Sequence, residues 1–436
     1  MLTPLVTHAL PRDFRFCMAT AAHQIEGHNE NSDWWAWENT PGKIKNGDTS
    51  KLATDSWGHL EEDIANLQWL GVDDYRISVE WAKIEPSENV FNEAMLDQYV
   101  AQIDQLKAAG IEPMVTLYHF TFPLWVSKKG GWDWTGVPKA FERFTERVAT
   151  RFGSRVKRWV TLNEPMTVIA AGYVSNIFPP AKNDLRTIST PMIQMVRAHA
   201  LSYHAIHRVL DTADFKPEVG LAHHLRNFDP YHRLSPLDRY ASKKFDQVFN
   251  WAIPNALTSG WLTMRVPFLI KTNVYIPEAI GTQDFFGMNY YSRDRMAVQL
   301  FNHEHLARKT TLGADLQDLG WEIYPQGMAR LLDEVQQRFP KMPIWITENG
   351  IADQSDLKRT SYIRDHLQVI SNAIDAGAPI QGYCHWTLND NFEWAEGYTA
   401  HFGLFSLEPK TLRRIPRQSA YDFKKMISNT QQGLAL

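Results

Sequence analysis

A chain of 436 residues, 44% apolar and 22% charged, has the composition of a folded globular protein with a large core, and disorder is expected only at its ends. Its 45 basic residues nearly balance 49 acidic ones, giving a formal charge of −4, so no basic field draws in phosphate backbones or anionic lipid; nucleic acid and membrane partners are excluded. No run approaches the ~20 uncharged apolar residues of a membrane helix, and Pro4, His8, Pro11, Arg12 and Asp13 break up the only stretch placed to act as a secretory leader, so a cytoplasmic protein is expected.

In chain order, apolar, β-branched or aromatic runs fall at Phe14–Ala19, Asp74–Val79, Pro113–His119, Trp159–Asn163, Val219–His223, Phe285–Tyr290, Pro343–Thr347 and Ile380–Trp386. Most consecutive pairs are separated by a stretch with helical spacing. Between the first two, Trp57, Leu60, Ile64, Leu67 and Leu70 recur at steps of three and four, with Asp55 as the expected N-cap and Gly71 as the stop. Leu96, Tyr99, Val100, Ile103 and Leu106 before Gly110, and Phe141, Phe144 and Val148 before Gly153, make similar stripes. Eight strands alternating with helices predict an α/β fold, a parallel (β/α)8 TIM barrel, as a single catalytic domain over residues 1–436. The long intervals Arg226–Gly281 and Arg293–Trp321 are expected to hold extra helices and loops over the C-terminal face, and the polar tail beyond Asn429 to fray.

Cys17 and Cys384 fall in the first and last strands, neighbours in a closed barrel, and two buried thiols in a reducing compartment are expected in preference to a disulfide. Aromatics are abundant, with 16 Trp, 15 Tyr and 22 Phe. Sugars offer flat C–H faces to indole rings and hydroxyls to polar neighbours, so part of the Trp set suits a saccharide cleft.

Two acidic motifs carry the chemistry. Thr161-Leu162-Asn163-Glu164-Pro165 and Ile346-Thr347-Glu348-Asn349-Gly350 each close a strand-like run, and the carboxyl ends of barrel strands are where this architecture places catalysis. A pair of carboxyl groups suits glycosidic bond cleavage, one protonating the leaving oxygen and the other attacking or activating water.

With these motifs stand Ala22-His23-Gln24-Ile25-Glu26-Gly27, Tyr75-Arg76-Ile77-Ser78, Leu117-Tyr118-His119-Phe120, Gly287-Met288-Asn289-Tyr290-Tyr291, Gly320-Trp321-Glu322-Ile323-Tyr324-Pro325 and Asp390-Asn391-Phe392-Glu393-Trp394-Ala395-Glu396-Gly397-Tyr398. In this order, over nearly the whole chain, they resemble the family 1 glycoside hydrolases, the retaining β-glucosidase and β-galactosidase group. The resemblance implies Glu164 as acid/base, with a raised pKa, and Glu348 as an ionised nucleophile supported by Arg76 and Tyr291. It implies Gln24, His119, Asn163, Asn289, Trp386, Glu393 and Trp394 as the holders of the terminal sugar: Asn163 at the 2-hydroxyl, Gln24 and Glu393 at the 3-, 4- and 6-hydroxyls, Trp394 through its indole N–H and Trp386 as the stacking floor. Phe402 lies beside the same pocket, as packing or as a contact.

Relatives acting on 6-phosphorylated glycosides carry Ser where this chain has Glu393, with Lys and Tyr downstream; Glu393 would repel a phosphate, so an unphosphorylated sugar is implied. Thioglucosidase relatives lack the acid carboxyl that Glu164 supplies, so O-glycosides are implied. The resulting expectation is an exo-acting β-glucosidase, active also on β-galactosides or β-fucosides, that needs no cofactor or metal and hydrolyses small glycosides and oligosaccharides. The outer cleft departs from the family pattern at His28–Trp35 and His385–Asn389, which leaves the aglycone open, and the sequence gives no oligomeric state. Two alternatives are a sugar-binding barrel without catalysis and a metal-dependent barrel hydrolase built on His223 and His224. Adjacent strand residues point to opposite faces, which counts against the second.

Overall fold

A computed structural model describes residues 9–266, 270–298 and 306–436. Eight parallel strands close into a barrel: β1 (Arg15–Ala19), β2 (Asp74–Ser78), β3 (Glu112–Tyr118), β4 (Arg158–Asn163), β5 (Glu218–His224), β6 (Phe285–Asn289), β7 (Ile344–Asn349) and β8 (Ile380–Trp386). Each strand pairs with its sequence neighbours, and β1 pairs with β8 to close the ring, with Cys17 opposite Cys384. Both cysteines are free and buried. All eight strand runs read from the sequence are present, with ends shifted by a residue or two. The runs are legible because both faces of these strands are covered, so the barrel wall is almost continuously apolar or β-branched.

Helices Leu60–Leu70, Glu93–Ala108, Val137–Phe152, Ser189–Leu210, Pro325–Arg338 and Arg359–Asp375 connect the strands around the outside. Leu67, Leu70, Leu96, Ile103, Phe141 and Phe144 are buried, as their spacing predicts. The first helix starts later than expected. Asp55 has φ 46° and accepts from the Gly58 N–H in a preceding turn, so it caps no helix, and His59 stands at the N-cap. Gly71 ends that helix at φ 82°, donating to the Leu67 and Gln68 carbonyls, a backbone state that glycine adopts without steric cost.

Above the carboxyl ends of β5 and β6 the structure adds strands as well as the expected helices. Segments Asn227–Pro230, Arg293–Val298 and Leu306–Lys309 form a three-stranded sheet beside helix Pro236–Phe245, and helix Ala252–Ser259 lies further along the chain. Antiparallel strands Trp261–Val266 and Ile270–Tyr275 follow. Part of the expected Arg293–Trp321 excursion, residues 299–305, lies outside the described residues, as do residues 1–8 of the N-terminal stretch. The C-terminal tail does not fray at Asn429: helix Gln418–Gln432 continues to Gly433, because Phe423, Met426 and Ile427 bury one face. Among the described residues no helix is long and apolar enough to cross a membrane.

Register slips occur where the two acidic motifs leave the barrel wall, between Val160 and Asn163 on β4 and between Ile346 and Glu348 on β7. Such irregularities break the strict in-and-out alternation and re-aim the side chains that follow.

Candidate active site

Glu348 sits at the end of β7 in a cradle of two donors. The Arg76 guanidinium reaches its Oε1 at 2.6 Å, and the Tyr291 hydroxyl donates to Oε2 at 2.7 Å. Arg76 comes from β2 and is fully buried; three of its other four N–H groups are taken by Thr116 Oγ1, the Thr347 carbonyl and Asn163 Oδ1, so its plane is fixed. Gly350 follows Glu348 by two positions where a Cβ would collide with the Trp386 carbonyl, which explains the glycine in that motif. Burial raises the Glu348 pKa, Arg76 opposes it and nearby Glu164 adds to it, leaving the group at about 7.

Glu164 follows Asn163 at the end of β4. Its φ of 43° lies in the left-handed region, disfavoured for a side chain of this kind, and Pro165 then opens a short helix. This corner aims the carboxyl across the barrel mouth. Asn289 Nδ2 donates to Oε1 at 2.8 Å, and Thr167 Oγ1 donates to Oε2 at 2.7 Å. His224 Nδ1 lies 3.2 Å from the same Oε2. Burial opposes ionisation here too, but the imidazolium charge and hydrogen bond of His224, with those of Asn289 and Thr167, outweigh it and hold Glu164 at about 2.

While His224 is charged, Glu164 is pushed down and Glu348 up, opposite in direction to the sequence expectation of a raised Glu164 and an ionised Glu348. The cause is His224. With that imidazole neutral, its pull on Glu164 vanishes, while burial and the negative Glu348 continue to push Glu164 upward.

The remaining sequence candidates gather at the same end of the barrel. Asn289 Nδ2 also donates to Asn163 Oδ1 at 3.2 Å, while its own Oδ1 accepts from Thr347 at 2.6 Å. Asn163 Nδ2 donates to His119 Nε2 at 3.1 Å, so that nitrogen is the acceptor of a neutral ring; burial and Arg76 hold His119 well below its usual range. His119 stacks on Trp386 and on Trp394, with ring centres 5.8 and 6.1 Å apart. Trp394 is braced behind by His23, Trp34 and Phe120. Gln24 Nε2 donates to Glu393 Oε2, Asn391 Oδ1 and the Phe392 carbonyl, each at 3.0 Å. Phe402 packs edge-on to Tyr291.

Glu393 changes one sequence argument. Burial, only partly offset by Gln24 and reinforced by Glu348 and Glu164, pushes its pKa to about 8, so the side chain is uncharged at neutral pH. Repulsion by Glu393 therefore does not exclude a phosphate; what remains is that Asn391–Phe402 holds no Lys or Arg to receive one.

Sequence reasoning missed His224 and Thr167. His224 was weighed only as a metal ligand, yet its ring faces Glu164, while His223 turns the other way, stacks on Phe286 and meets Gln283. The available signal was its place at the end of β5, next to the strand that carries Glu164. Among the described residues no group of three His, Cys, Asp or Glu side chains is placed to hold a metal ion. A separate groove of about 450 Å³, lined by Glu26, His28, Asn31, Lys83 and Gln98, includes none of the residues above.

Comparison with known proteins shows the family. Residues 6–432 match the model of glycosyl hydrolase family 1. Beta-glucosidase A of Thermotoga maritima is 32% identical, covering 96% of this chain and 98% of its own length. A beta-galactosidase of Saccharolobus solfataricus is 27% identical, covering 97% and 96%. The structure of a Thermotoga maritima beta-glucosidase in complex with glucoimidazole superposes with a TM-score of 0.88 at 30% identity, over 97% of this chain and 99% of that one.

Proposed function

The chain belongs to glycosyl hydrolase family 1, and on that premise we propose that it is a cofactor-free, exo-acting β-glycosidase, a single catalytic domain that releases terminal β-glucosyl units from small O-glycosides by double displacement. The observation that carries this reading is the pair of buried carboxyl groups at the ends of β4 and β7, one gripped by Arg76 and Tyr291, the other by Asn289 and Thr167. In the first step an oxygen of Glu348 bonds to the anomeric carbon as the bond to the aglycone oxygen breaks, and Glu164, protonated when its neighbour His224 is neutral, gives that oxygen its proton. In the second, Glu164 takes a proton from water, whose oxygen displaces Glu348 from the same carbon. Two inversions return the original configuration.

Arg76 and Tyr291 stabilise Glu348 as an anion before attack and as the leaving group afterwards. The Asn163 amide, tied to both Arg76 and His119, is placed for the 2-hydroxyl, where a contact that tightens at the transition state raises rate as well as affinity. Gln24 and an uncharged Glu393 offer donors and acceptors to the outer hydroxyls, with Trp386 and Trp394 as the apolar floor and wall. Such partners accept an equatorial or an axial 4-hydroxyl. Activity on β-galactosides and β-fucosides follows, in line with relatives named for glucosidase and for galactosidase activity. The absence of Lys and Arg from Asn391–Phe402 favours an unphosphorylated sugar.

The test replaces Glu348 with Gly and supplies azide. The expected product is the α-glycosyl azide; recovery of none, with the wild type active, removes Glu348 from the nucleophile role. Proton NMR of the first-formed sugar should show the β-anomer, and the α-anomer would contradict double displacement.

A further inference from the structure

The feature of the site that the double-displacement scheme leaves unused is His224. Its Nδ1 lies 3.2 Å from Glu164 Oε2 and 2.8 Å from Thr167 Oγ1. The Thr167 hydroxyl has one hydrogen, and it is directed to Glu164; toward His224 the hydroxyl can only accept. Nδ1 therefore carries a hydrogen that meets the hydroxyl, with the carboxylate oxygen 3.2 Å from the same nitrogen. The other ring nitrogen, Nε2, is buried and finds no partner among the described residues. The ring is wedged between Phe249 and Tyr291, so its route for exchanging a proton inside the protein leads to Glu164.

We propose that His224 is a positioning residue for the acid proton: imidazole and carboxyl hold one proton between them, and the general acid of the reaction is the Glu164–His224 pair. The proposal rests on the assignment of Glu164 as acid/base. One tautomer is imidazolium with carboxylate, the other neutral imidazole with carboxylic acid, and transfer of the Nδ1 hydrogen to Oε2 converts the first into the second. When the aglycone leaves, the carboxyl hydrogen passes to the glycosidic oxygen, the C1–O bond breaks and C1 bonds to Glu348, leaving neutral His224 and ionised Glu164. In the second step the water proton returns to the pair while the water oxygen takes C1 and Glu348 departs. The pair starts and ends each cycle with one proton.

The surroundings add few competing charges. Tyr291 is held well above its usual range by burial and by Glu348, so it stays neutral. Glu348 lies beyond it, and Arg226, two residues along from His224, is paired with Asp294 at 3.0 Å and packs on Trp321. The helical segment that carries Phe249 presents an apolar ring.

A proton free to occupy either of two sites is held more tightly than one confined to a single site. Replacing His224 with Asn confines it to Glu164, so the alkaline limb of kcat/KM should move to lower pH, by about 0.5–1 unit. The loss should also depend on how much the leaving group needs a proton: about tenfold or more greater on phenyl β-glucoside than on 2,4-dinitrophenyl β-glucoside, whose phenolate departs unaided. Pairing His224→Asn with His224→Gln, and measuring a melting temperature for each, guards against a variant that merely unfolds. Two folded variants with the wild-type alkaline limb and an equal loss on both substrates would overturn the proposal. Failure of the wild type to turn over either glucoside would instead take down the functional reading beneath it.

Discussion

The two ends of the barrel handle buried charge in opposite ways. At the amino-terminal end, where β2, β4 and β5 begin, Asp74 accepts from Arg15 and from Arg158 at 2.6 Å each, and Arg158 also approaches Glu218, which binds Lys157. Asp74 and Glu218 there each have cations to match them. At the carboxyl-terminal end, of Glu164, Glu348 and Glu393 only Glu348 is bonded to a guanidinium, that of Arg76, while amides, a hydroxyl and His224 hold the other two. The same strands serve both ends: β2 starts with Asp74 and carries Arg76 two residues later, and β4 starts with Arg158 and delivers Glu164. A matched cluster settles into one protonation state and closes the barrel. An under-neutralised one leaves its carboxyl groups divided between protonation states near working pH, which is what acid–base chemistry needs.

If that division is correct, the two ends respond to mutation in different observables. The largest effect is expected from Glu348→Ala, which should lower kcat on the order of 10^4-fold without azide, read with an aryl β-glucoside. Glu164→Gln should follow, with a loss of about 10^2–10^4 in kcat/KM on phenyl β-glucoside, and a melting temperature unchanged or higher because one of three crowded acids is gone. Asp74→Ala should do the reverse: leaving Arg158 and Arg15 without their shared partner costs about 3–5 kcal/mol, visible as a lower denaturation midpoint, with kcat per folded molecule retained. Loss of activity in folded Asp74→Ala protein would break the contrast.

The sequence exposed the scaffold and the motif-bearing part of the site for different reasons. Barrel strands are buried on both faces, so their apolar runs stand out from the helical stripes between them. The motif residues sit at strand ends, and the structure gathers them at one end of the barrel in two hydrogen-bonded groups, Gln24 with Glu393 and Arg76, His119 and Asn289 around Asn163. What stayed hidden depends on side-chain meetings across chain distance. His224 belongs to no motif, and its partners Glu164 and Thr167 come from another strand and the turn beyond it, so the lowered pKa of Glu164 could not be anticipated. The sheet above β5 and β6 was missed because its strands are short and pair across a long excursion. Asp55 looked like a cap by residue type alone, but its left-handed backbone places it in a turn.

The finest test of the contrast deletes one oxygen at each end. Tyr291 donates to Glu348 at 2.7 Å, and its high pKa keeps it a donor throughout the working range. The hydrogen bond stabilises the carboxylate and lowers the Glu348 pKa, in opposition to burial. Tyr291→Phe should therefore raise that pKa. Attack needs the ionised form, which is lost as pH falls, so the acid limb of kcat/KM should move to higher pH, by about one unit for a bond to a charged group worth about 1.5 kcal/mol. Well above that limb kcat/KM should approach the wild-type value, while kcat stays lower because Glu348 leaves with one donor fewer. Tyr203 makes the corresponding contact at the other end, donating to Asp284 at 2.8 Å where β5 and β6 begin. Tyr203→Phe removes the same atom from a carboxylate that also holds His207 and the Val219 N–H. It should lower the melting temperature slightly and leave the acid limb in place. A shift of the limb in Tyr203→Phe, or none in Tyr291→Phe, would mean that the protonation of Glu348 is not controlled by its local cradle.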